Sequence, residues 1–204
     1  MKKKQTQYSI GVDYGTNSVR ALVVDLSNGA ELASSVFAYP SGEDGIIVSK
    51  KDPQLARQNP ADYLDGFVFT VSDAVKKAAR ANANFSADQV VGIGVDTTGS
   101  TPIPVDRDGV PLAMQRKFMK NPNAQAWLWK DHTSYNEAAK ITATAQEMNA
   151  PYLKKCGGTY SSEWFWSKIW HCLNVDKEVF DAAFSWVELS ATSSPLSSQA
   201  TPIR

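Results

Sequence analysis

Three short apolar runs, separated by polar turn residues, open the chain. They span 8–13, 19–25 and 31–39 and contain the β-branched and aromatic residues that strands favour. Gly15 lies in the first connection and Asn28-Gly29 in the second, and both suit tight turns. The pattern therefore predicts three consecutive antiparallel strands.

Longer apolar patterns follow a segment rich in Gly, Pro, Asp and Lys. That segment, 40–60, is predicted to be a long loop. The run 61–83 predicts a helix whose apolar stripe has a period near 3.6 and comprises Leu64, Phe67, Val68, Val71 and Val75. The continuous apolar run 90–95 predicts a strand buried on both faces. Further strands are predicted at 101–105 and 184–189, and helices at 134–148 and 163–173.

The composition is that of an ordinary globular protein. The 204 residues suffice for a domain with a real core, and 21 basic residues balance 21 acidic ones. Nucleic acid and anionic membranes are therefore not expected partners, and no apolar run approaches the ~18 residues of a membrane span. Cys156 and Cys172 lack both a disulfide framework and metal-ligand spacing, so a reduced, cytoplasmic protein is expected.

Both ends of the chain differ from the rest. Residues 1–7 carry three lysines with no apolar stretch behind them, which is unlike a signal peptide, and they are predicted to be disordered. Residues 190–204 are rich in Ser, Thr and Pro, have no period, and are also predicted to be disordered.

The first chemical motif is the connection between the first two strands. Asp13 ends the first strand, and it is followed by small and polar residues, Gly15, Thr16, Asn17 and Ser18. Backbone N–H groups, hydroxyls and one carboxylate at such a tip suit phosphate oxygens and Mg²⁺. The segment is not a Walker A loop, since it lacks the lysine and precedes a strand. The alternative is an ordinary polar turn.

The second motif follows the apolar strand 90–95. Asp96, Thr97, Thr98 and Gly99 come where that strand ends. Ligands of open α/β sheets collect beyond the carboxyl ends of strands, although hydroxyl turns at a strand end are also common. Together the two motifs and the order of elements indicate an actin-like, ribonuclease-H-like α/β domain, with a mixed sheet flanked by helices.

Several segments carry a resemblance to a known family. The segments 10–20, 91–101 and 128–133 resemble the FGGY family of carbohydrate kinases. Within that family, the segments 92–102, 121–123, 160–168 and 185–189 are most similar to the bacterial L-ribulokinases. The resemblance covers about residues 8–189.

The resemblance implies ATP-dependent phosphorylation of L-ribulose at O5, in arabinose catabolism, with Mg²⁺ as the metal. By position it assigns Asp13, Gly15, Thr16, Asn17 and Ser18 to a phosphate-binding hairpin, with Asp13 orienting Mg²⁺ directly or through water. It brings Arg20 towards the nucleotide phosphates. It gives the sugar pocket to Asp96, Thr97, Thr98, Gly99 and Trp129, with Asp131 and Glu163 as further candidates.

One departure from the family changes the expectation. FGGY kinases are about twice this length or more, hold ATP mainly in a second domain, and use a general-base aspartate beyond the position where this chain stops. The chain is therefore expected to be an N-terminal domain, incomplete at its C-terminus and inactive alone. The alternatives are a non-catalytic sugar-binding module, a protein that associates through an exposed interdomain face, and another FGGY kinase, for xylulose or glycerol.

Overall fold

The computed structural model describes residues 6–192, which form two compact units. The sheet unit comprises 6–45 and 61–98, and the helical unit comprises 46–60 and 99–192. In chain order the elements are β1 (Tyr8–Tyr14), β2 (Ser18–Asp25), β3 (Glu31–Ala38), β4 (Ile47–Val48), β5 (Ala56–Gln58), α1 (Pro60–Ala81), β6 (Val90–Thr97), β7 (Pro102–Val105), β8 (Ala126–Trp127), α2 (Tyr135–Glu147), α3 (Phe165–Val175), α4 (Lys177–Ala182), β9 (Ser185–Glu188) and α5 (Leu189–Thr192).

The sheet unit is built on a four-stranded mixed sheet. Its strand order is β3-β2-β1-β6, in which β1, β2 and β3 pair antiparallel and β6 pairs parallel to β1. The three antiparallel strands predicted from the sequence are thus confirmed, with ends within one residue of the predicted ones. Gly29 has φ +76° in the second turn, a conformation that glycine adopts at little cost.

Helix α1 packs on this sheet through a face different from the predicted one. The predicted stripe was wrong in part, because Leu64 and Val68 are exposed while Phe67, Val71 and Val75 are partly buried. The buried positions are instead mostly small and repeat every three or four residues: Tyr63, Gly66, Thr70, Ala74 and Ala78. A Cβ on Gly66 would lie 2.4 Å from Val19 Cγ1, so the helix backbone lies too close to the sheet for larger side chains.

Strand β6 does not have the burial that its apolar sequence suggests. The prediction of burial on both faces was wrong, because Val91 is 56% exposed and Ile93 is 43% exposed among the residues that the structure describes. Strand β6 is also the edge of the described sheet, with β1 as its partner. An apolar edge of this kind is a surface that favours association.

The helical unit contains two small antiparallel sheets and three longer helices. One sheet has the order β4-β5-β8, and β7 pairs with β9 in the other. Its main core gathers buried residues from β8, the helices and the connecting turns: Leu112, Ala113, Phe118, Ala124, Trp127, Cys172 and Val179. The predicted loop 40–60 was wrong in part, since β4 and β5 lie within it and all of β5 is buried.

The predicted ends of the domain lie partly outside the described residues. The carbonyl of Gln7 accepts a hydrogen bond from Leu26 N (3.0 Å), so order extends to the residue before β1. At the other end Ser190 continues into α5 rather than a tail. Residues 1–5 and 193–204 lie outside the described part. Within 6–192, no helix has both the length and the apolar character that a membrane crossing requires.

Candidate functional site

The hairpin between β1 and β2 is closed by one short backbone contact. Gly15 N donates to Ser18 O at 2.9 Å, so the turn spans the polar residues of the first motif. Thr16 and Ser18 are half-exposed, and Asn17 is exposed. The tip therefore presents hydroxyl and amide groups to solvent, as a phosphate-binding turn requires.

Three charged side chains form a row across the sheet beside this hairpin. Strand pairing puts Asp13 opposite Asp96 on β6 and opposite Arg20 on β2. Side chains of paired residues lie on the same face, with neighbouring strands about 4.8 Å apart. All three residues are exposed. The row thus combines two carboxylates with one cation at the carboxyl ends of two parallel strands.

This row has the donor set that Mg²⁺ uses with phosphates. Mg²⁺ is commonly bound by one or two carboxylates, with waters and phosphate oxygens as its other ligands. Asp13 and Asp96 could supply the carboxylates, and Arg20 a bidentate phosphate contact. Within residues 6–192 no three His, Cys, Asp or Glu side chains converge as a protein-only metal cage. The fit is therefore to a metal held jointly with a phosphate ligand.

The segment after β3 braces the hairpin tip. Tyr39 N donates to Asn17 O at 3.0 Å, and Asn17 Nδ2 donates to Asp44 O at 2.6 Å. Gly45 has φ +82°, and a Cβ there would lie 2.7 Å from Tyr39 Cβ. Because both the conformation and the space require glycine, the segment can approach the tip closely. Sequence reasoning placed Asp44 and Gly45 in a long loop and missed this support.

Buried aromatic rings lie beneath the brace. Tyr63 of α1 makes edge-on contacts with Tyr14 and Tyr39, at ring-centroid distances of 6.0 and 5.5 Å. Burial raises the pKa of Tyr14 to about 12 and that of Tyr39 further, so both phenols are neutral at physiological pH. Asp62, also buried, accepts from Ser41 N (3.0 Å) and Ser41 Oγ (2.9 Å). These contacts tie the start of α1 to the brace.

In the helical unit, Trp129 follows directly after the buried strand β8 and Leu128. The Trp129 side chain is 38% exposed, so part of its ring is available for contact with a ligand. The Glu163 side chain is likewise 38% exposed, and its Oε1 lies 3.7 Å from His132 Nε2. His132 Nδ1 in turn lies 2.9 Å from Ser162 Oγ. The side chains of Trp129 and Glu163 are thus partly accessible to solvent.

Asp131 differs from these two, because its carboxylate is fully buried and fully engaged. It pairs with Arg57, accepts from Ala56 N at 2.7 Å, and accepts from Thr133 N (3.1 Å) and Thr133 Oγ1 (2.6 Å). The Arg57 guanidinium carbon lies 3.4 Å from the centroid of the Trp127 ring. These contacts join β5 to the segment that follows Trp129, and they suit an anchoring role.

The Arg57–Asp131 pair is held without water contact. Both side chains are at most 1% exposed, and burial lowers the pKa of Arg57 to about 9. Arg57 Nε has no hydrogen-bond partner among the described residues. A buried ion pair is costly to break, because one uncompensated charge then remains. Sequence reasoning missed Arg57, which lies 74 residues from its partner.

Lys168 is a second buried basic side chain of the helical unit. Its Nζ donates to the carbonyl oxygens of Ser100 (2.7 Å) and Leu128 (2.8 Å), and lies 3.4 and 3.5 Å from those of Trp127 and Trp129. The side chain is fully buried. Burial lowers the pKa of Lys168 to about 7. In the sequence, Lys168 lies between Trp166 and Trp170 of a predicted helix, which suggests burial but does not identify the carbonyls that it contacts.

The turn that follows the second motif is strained. Ser100 has φ +56°, a left-handed conformation that is uncommon for residues other than glycine. The next amide, Thr101 N, donates to Glu188 Oε2 at 2.9 Å. Burial raises the pKa of Glu188, although this hydrogen bond opposes the shift. Strained residues of this kind persist only where surrounding contacts fix them.

Comparison with known proteins decides the family. Residues 8–182 match the FGGY family of carbohydrate kinases, N-terminal domain. The chain belongs to this family. The FGGY membership expected from the motifs is thereby confirmed, and the matched segment contains the hairpin, the row of charges and Trp129.

Individual FGGY relatives agree with this assignment. The chain is 44% identical over 184 residues to the ribulokinase of Vibrio parahaemolyticus, covering 90% of this chain and 32% of that protein. It is 40% identical over 186 residues to the ribulokinase of Shouchella clausii, covering 89% of this chain and 32% of that protein. The chain thus spans about a third of the length of these relatives, and the predicted resemblance to ribulokinases is confirmed.

A solved structure supports the predicted fold. The gluconate kinase of Lactobacillus acidophilus superimposes with a TM-score of 0.62 at 20% identity, over 89% of this chain and 31% of that one. At this identity the likeness concerns the fold alone. The actin-like α/β fold expected from the motifs is thereby confirmed.

Proposed function

We propose that this chain forms the sugar- and phosphate-binding N-terminal part of an ATP-dependent L-ribulose kinase, which yields L-ribulose 5-phosphate in arabinose catabolism. The supporting sequence evidence is the identity of 44% and 40% to two ribulokinases along nearly the whole chain. The structural observation that carries the proposal is the row of Asp96, Asp13 and Arg20 on one face of the sheet.

The proposed roles follow from the chemistry of each group. Thr16, Asn17 and Ser18 offer N–H and hydroxyl donors to phosphate oxygens, while Gly15, whose N–H closes the turn on Ser18 O, allows the tight bend. Asp13 holds Mg²⁺ directly or through water. Arg20 neutralises phosphate charge. Phosphoryl transfer depends mainly on positioning and on such electrostatic stabilisation, so a rigid, braced hairpin suits it.

The sugar is assigned to the remaining exposed candidates. Asp96, Thr97, Thr98 and Gly99 offer acceptors and donors to hydroxyl groups, and the ring of Trp129 offers an apolar face to the polyol carbons. Glu163 is proposed as a further hydroxyl contact. Asp131 is proposed to act indirectly, since its oxygens bond to Arg57, Ala56 and Thr133.

Taken alone, the 204 residues are proposed to bind L-ribulose without phosphorylating it. The relatives to which it is similar are about three times longer, and adenine binding and the base are assigned to their remaining part by family resemblance. A thermal melt in the presence of L-ribulose, D-xylulose or glycerol tests the ligand class. Sugar concentrations on the order of 10–50 mM are used, because weak binding raises the melting temperature only at high ligand concentration. An increase in melting temperature with L-ribulose alone supports the proposal, and an increase with glycerol or D-xylulose alone favours the other FGGY kinases.

An interaction role is the second candidate, favoured by a specific surface. Val91 and Ile93 expose large fractions of their side chains on the edge strand β6. We propose that this edge pairs with another polypeptide, with a second copy of the chain as the homo-oligomeric case. Sedimentation over a range of concentrations separates this role from sugar binding, because association would then occur without any sugar.

A further inference from the structure

We propose that Lys168 is a positioning residue, which holds the segment of Trp129 and the Gly99–Thr101 turn in one fixed arrangement for sugar binding. The inference deepens the proposed function, since that function assigns sugar contacts to Trp129 and to Gly99, the first residue of this turn. Both segments and Lys168 belong to the helical unit.

The contacts of Lys168 differ from those of a structural ion pair. Its hydrogen-bond partners among the described residues are all backbone carbonyls. The two shortest bonds go to different segments, 2.7 Å to Ser100 O and 2.8 Å to Leu128 O. These partners are 68 and 40 residues away along the chain. One amino group thus connects the turn before β7 with the segment after β8, and these two strands belong to different sheets.

The geometry also explains why each segment needs support. Ser100 adopts a left-handed conformation, and its carbonyl is fixed by Lys168 while the following amide is fixed by Glu188 at 2.9 Å. Carbonyls 127, 128 and 129 lie within 3.5 Å of one Nζ, so their chain bends around the cation. Leu128 O also accepts from Asp131 N at 2.9 Å, whereas Ser100 O takes its hydrogen bond from Lys168. Loss of the lysine donor therefore removes one of two hydrogen bonds at Leu128 and leaves the strained Ser100 carbonyl without this bond.

The consequence concerns Trp129 in particular. Its backbone carbonyl lies 3.5 Å from Nζ, while its side chain is partly exposed. The backbone of Trp129 is therefore held from the interior, while part of its side chain is accessible to solvent. Fixing a binding side chain in this way lowers the entropy cost of binding.

Fluorine NMR of the full chain labelled with 5-fluorotryptophan tests the proposal. The chain has 6 tryptophans, and the Trp129 signal is assigned with Trp129→Phe. Lys168→Met removes the donors at similar length, and Lys168→Arg keeps the charge without the same convergence on the carbonyls. Lys177→Met, which removes a surface lysine paired with Asp181, is the matched control.

Lys168→Met is expected to shift or broaden the Trp129 signal while the signal of Trp170 stays in place, and to raise the Kd for L-ribulose about tenfold or more. Lys168→Arg is expected to give an intermediate change, and Lys177→Met none. The proposal is overturned if the Trp129 signal and the Kd of Lys168→Met match the wild type, or if all six signals move together.

The design also covers a variant that does not fold and a wild type that binds no sugar. If Lys168→Met does not fold, Lys168→Arg is judged by the same selective movement of the Trp129 signal. If the wild type binds no L-ribulose, the proposed function fails, but the fluorine signal still shows whether Lys168 holds Trp129. The two failures are therefore distinguishable.

Discussion

Asp13 and Asp96 occupy paired positions on the parallel strands β1 and β6, so their carboxylates lie side by side on one face of the sheet. Arg20 is the partner of Asp13 on its other side. Two acids beside one base, next to a turn of exposed donors, form a polar site at the point where the strands end. This relationship carries the proposed function and leads to the first prediction.

Asp13→Asn is expected to weaken binding of a metal–phosphate ligand. With Mn²⁺ and tripolyphosphate as the probe, loss of one carboxylate ligand should raise the apparent Kd about tenfold, because the amide carries no charge. Water-proton relaxation measures bound Mn²⁺ directly. Asp108→Asn, in an exposed turn outside the site, is the control and should bind as the wild type does. Equal binding by Asp13→Asn and the control would exclude the metal role.

Asp131→Asn is expected to destabilise the helical unit strongly. Breaking a buried pair leaves Arg57 uncompensated, which typically costs about 3–5 kcal/mol of unfolding free energy. Urea denaturation measures the loss. The double variant Arg57→Met/Asp131→Asn should lose less than the sum of the two single losses, because it leaves no unpaired charge. Additive losses would contradict the pairing.

Lys168→Met is expected to change the pH dependence of stability. Burial lowers the pKa of Lys168 to about 7, while in the unfolded chain it titrates near its ordinary 10.5. Between pH 7 and 10.5 the unfolded chain carries a proton on Lys168 that the folded chain lacks. The free energy of unfolding therefore rises as the pH rises above about 7, and it falls again as the pH is lowered towards 7.

The free energy of unfolding should rise with pH more steeply in the wild type than in Lys168→Met, by about 1.4 kcal/mol per pH unit at pH 8–9. This difference is measured as the unfolding free energy of the wild type minus that of the variant, from pH 6.5 to 9.5. Tyr14, with a pKa raised to about 12, contributes only above this range. Arg57, whose pKa is lowered to about 9, is present in both proteins, so the difference between them reports on Lys168. Parallel pH profiles for the two proteins would show that Lys168 has an ordinary pKa.

Val91→Lys is expected to reduce concentration-dependent association. A charged residue on an apolar edge strand opposes pairing with another chain. Val36→Lys, on the edge strand β3 at the other side of the sheet, is a matched control with similar exposure. Sedimentation velocity from low to high concentration should show the larger effect for Val91→Lys. Equal effects of the two variants would mean that β6 is not the contact.

The sequence predicts the elements of the sheet unit well, because local turn residues specify them. Gly15 and the Asn28-Gly29 pair fix the two connections, and the apolar runs between them fix the strands. The face of α1 was not predictable in this way. Its packing depends on how closely Gly66 approaches Val19, a contact between separate elements.

The sequence singled out some residues of the candidate site and missed others. Asp13 and Asp96 were singled out from local motifs and Arg20 from the family resemblance, and their alignment in one row follows from the pairing of neighbouring strands. Arg57 and Lys168 were not assigned, since each meets its partners only after distant segments come together. Burial of a charged side chain is a tertiary property that local sequence does not reveal.

Calorimetric titration of L-ribulose into the chain and into Asp96→Asn, with Asp108→Asn as the control, tests the central claim most directly. The account predicts saturable binding by the wild type and the control, and a Kd raised about tenfold or more in Asp96→Asn, because a charged hydrogen-bond acceptor is lost. Equal affinity in all three proteins, or no binding by a chain that melts cooperatively, would contradict it.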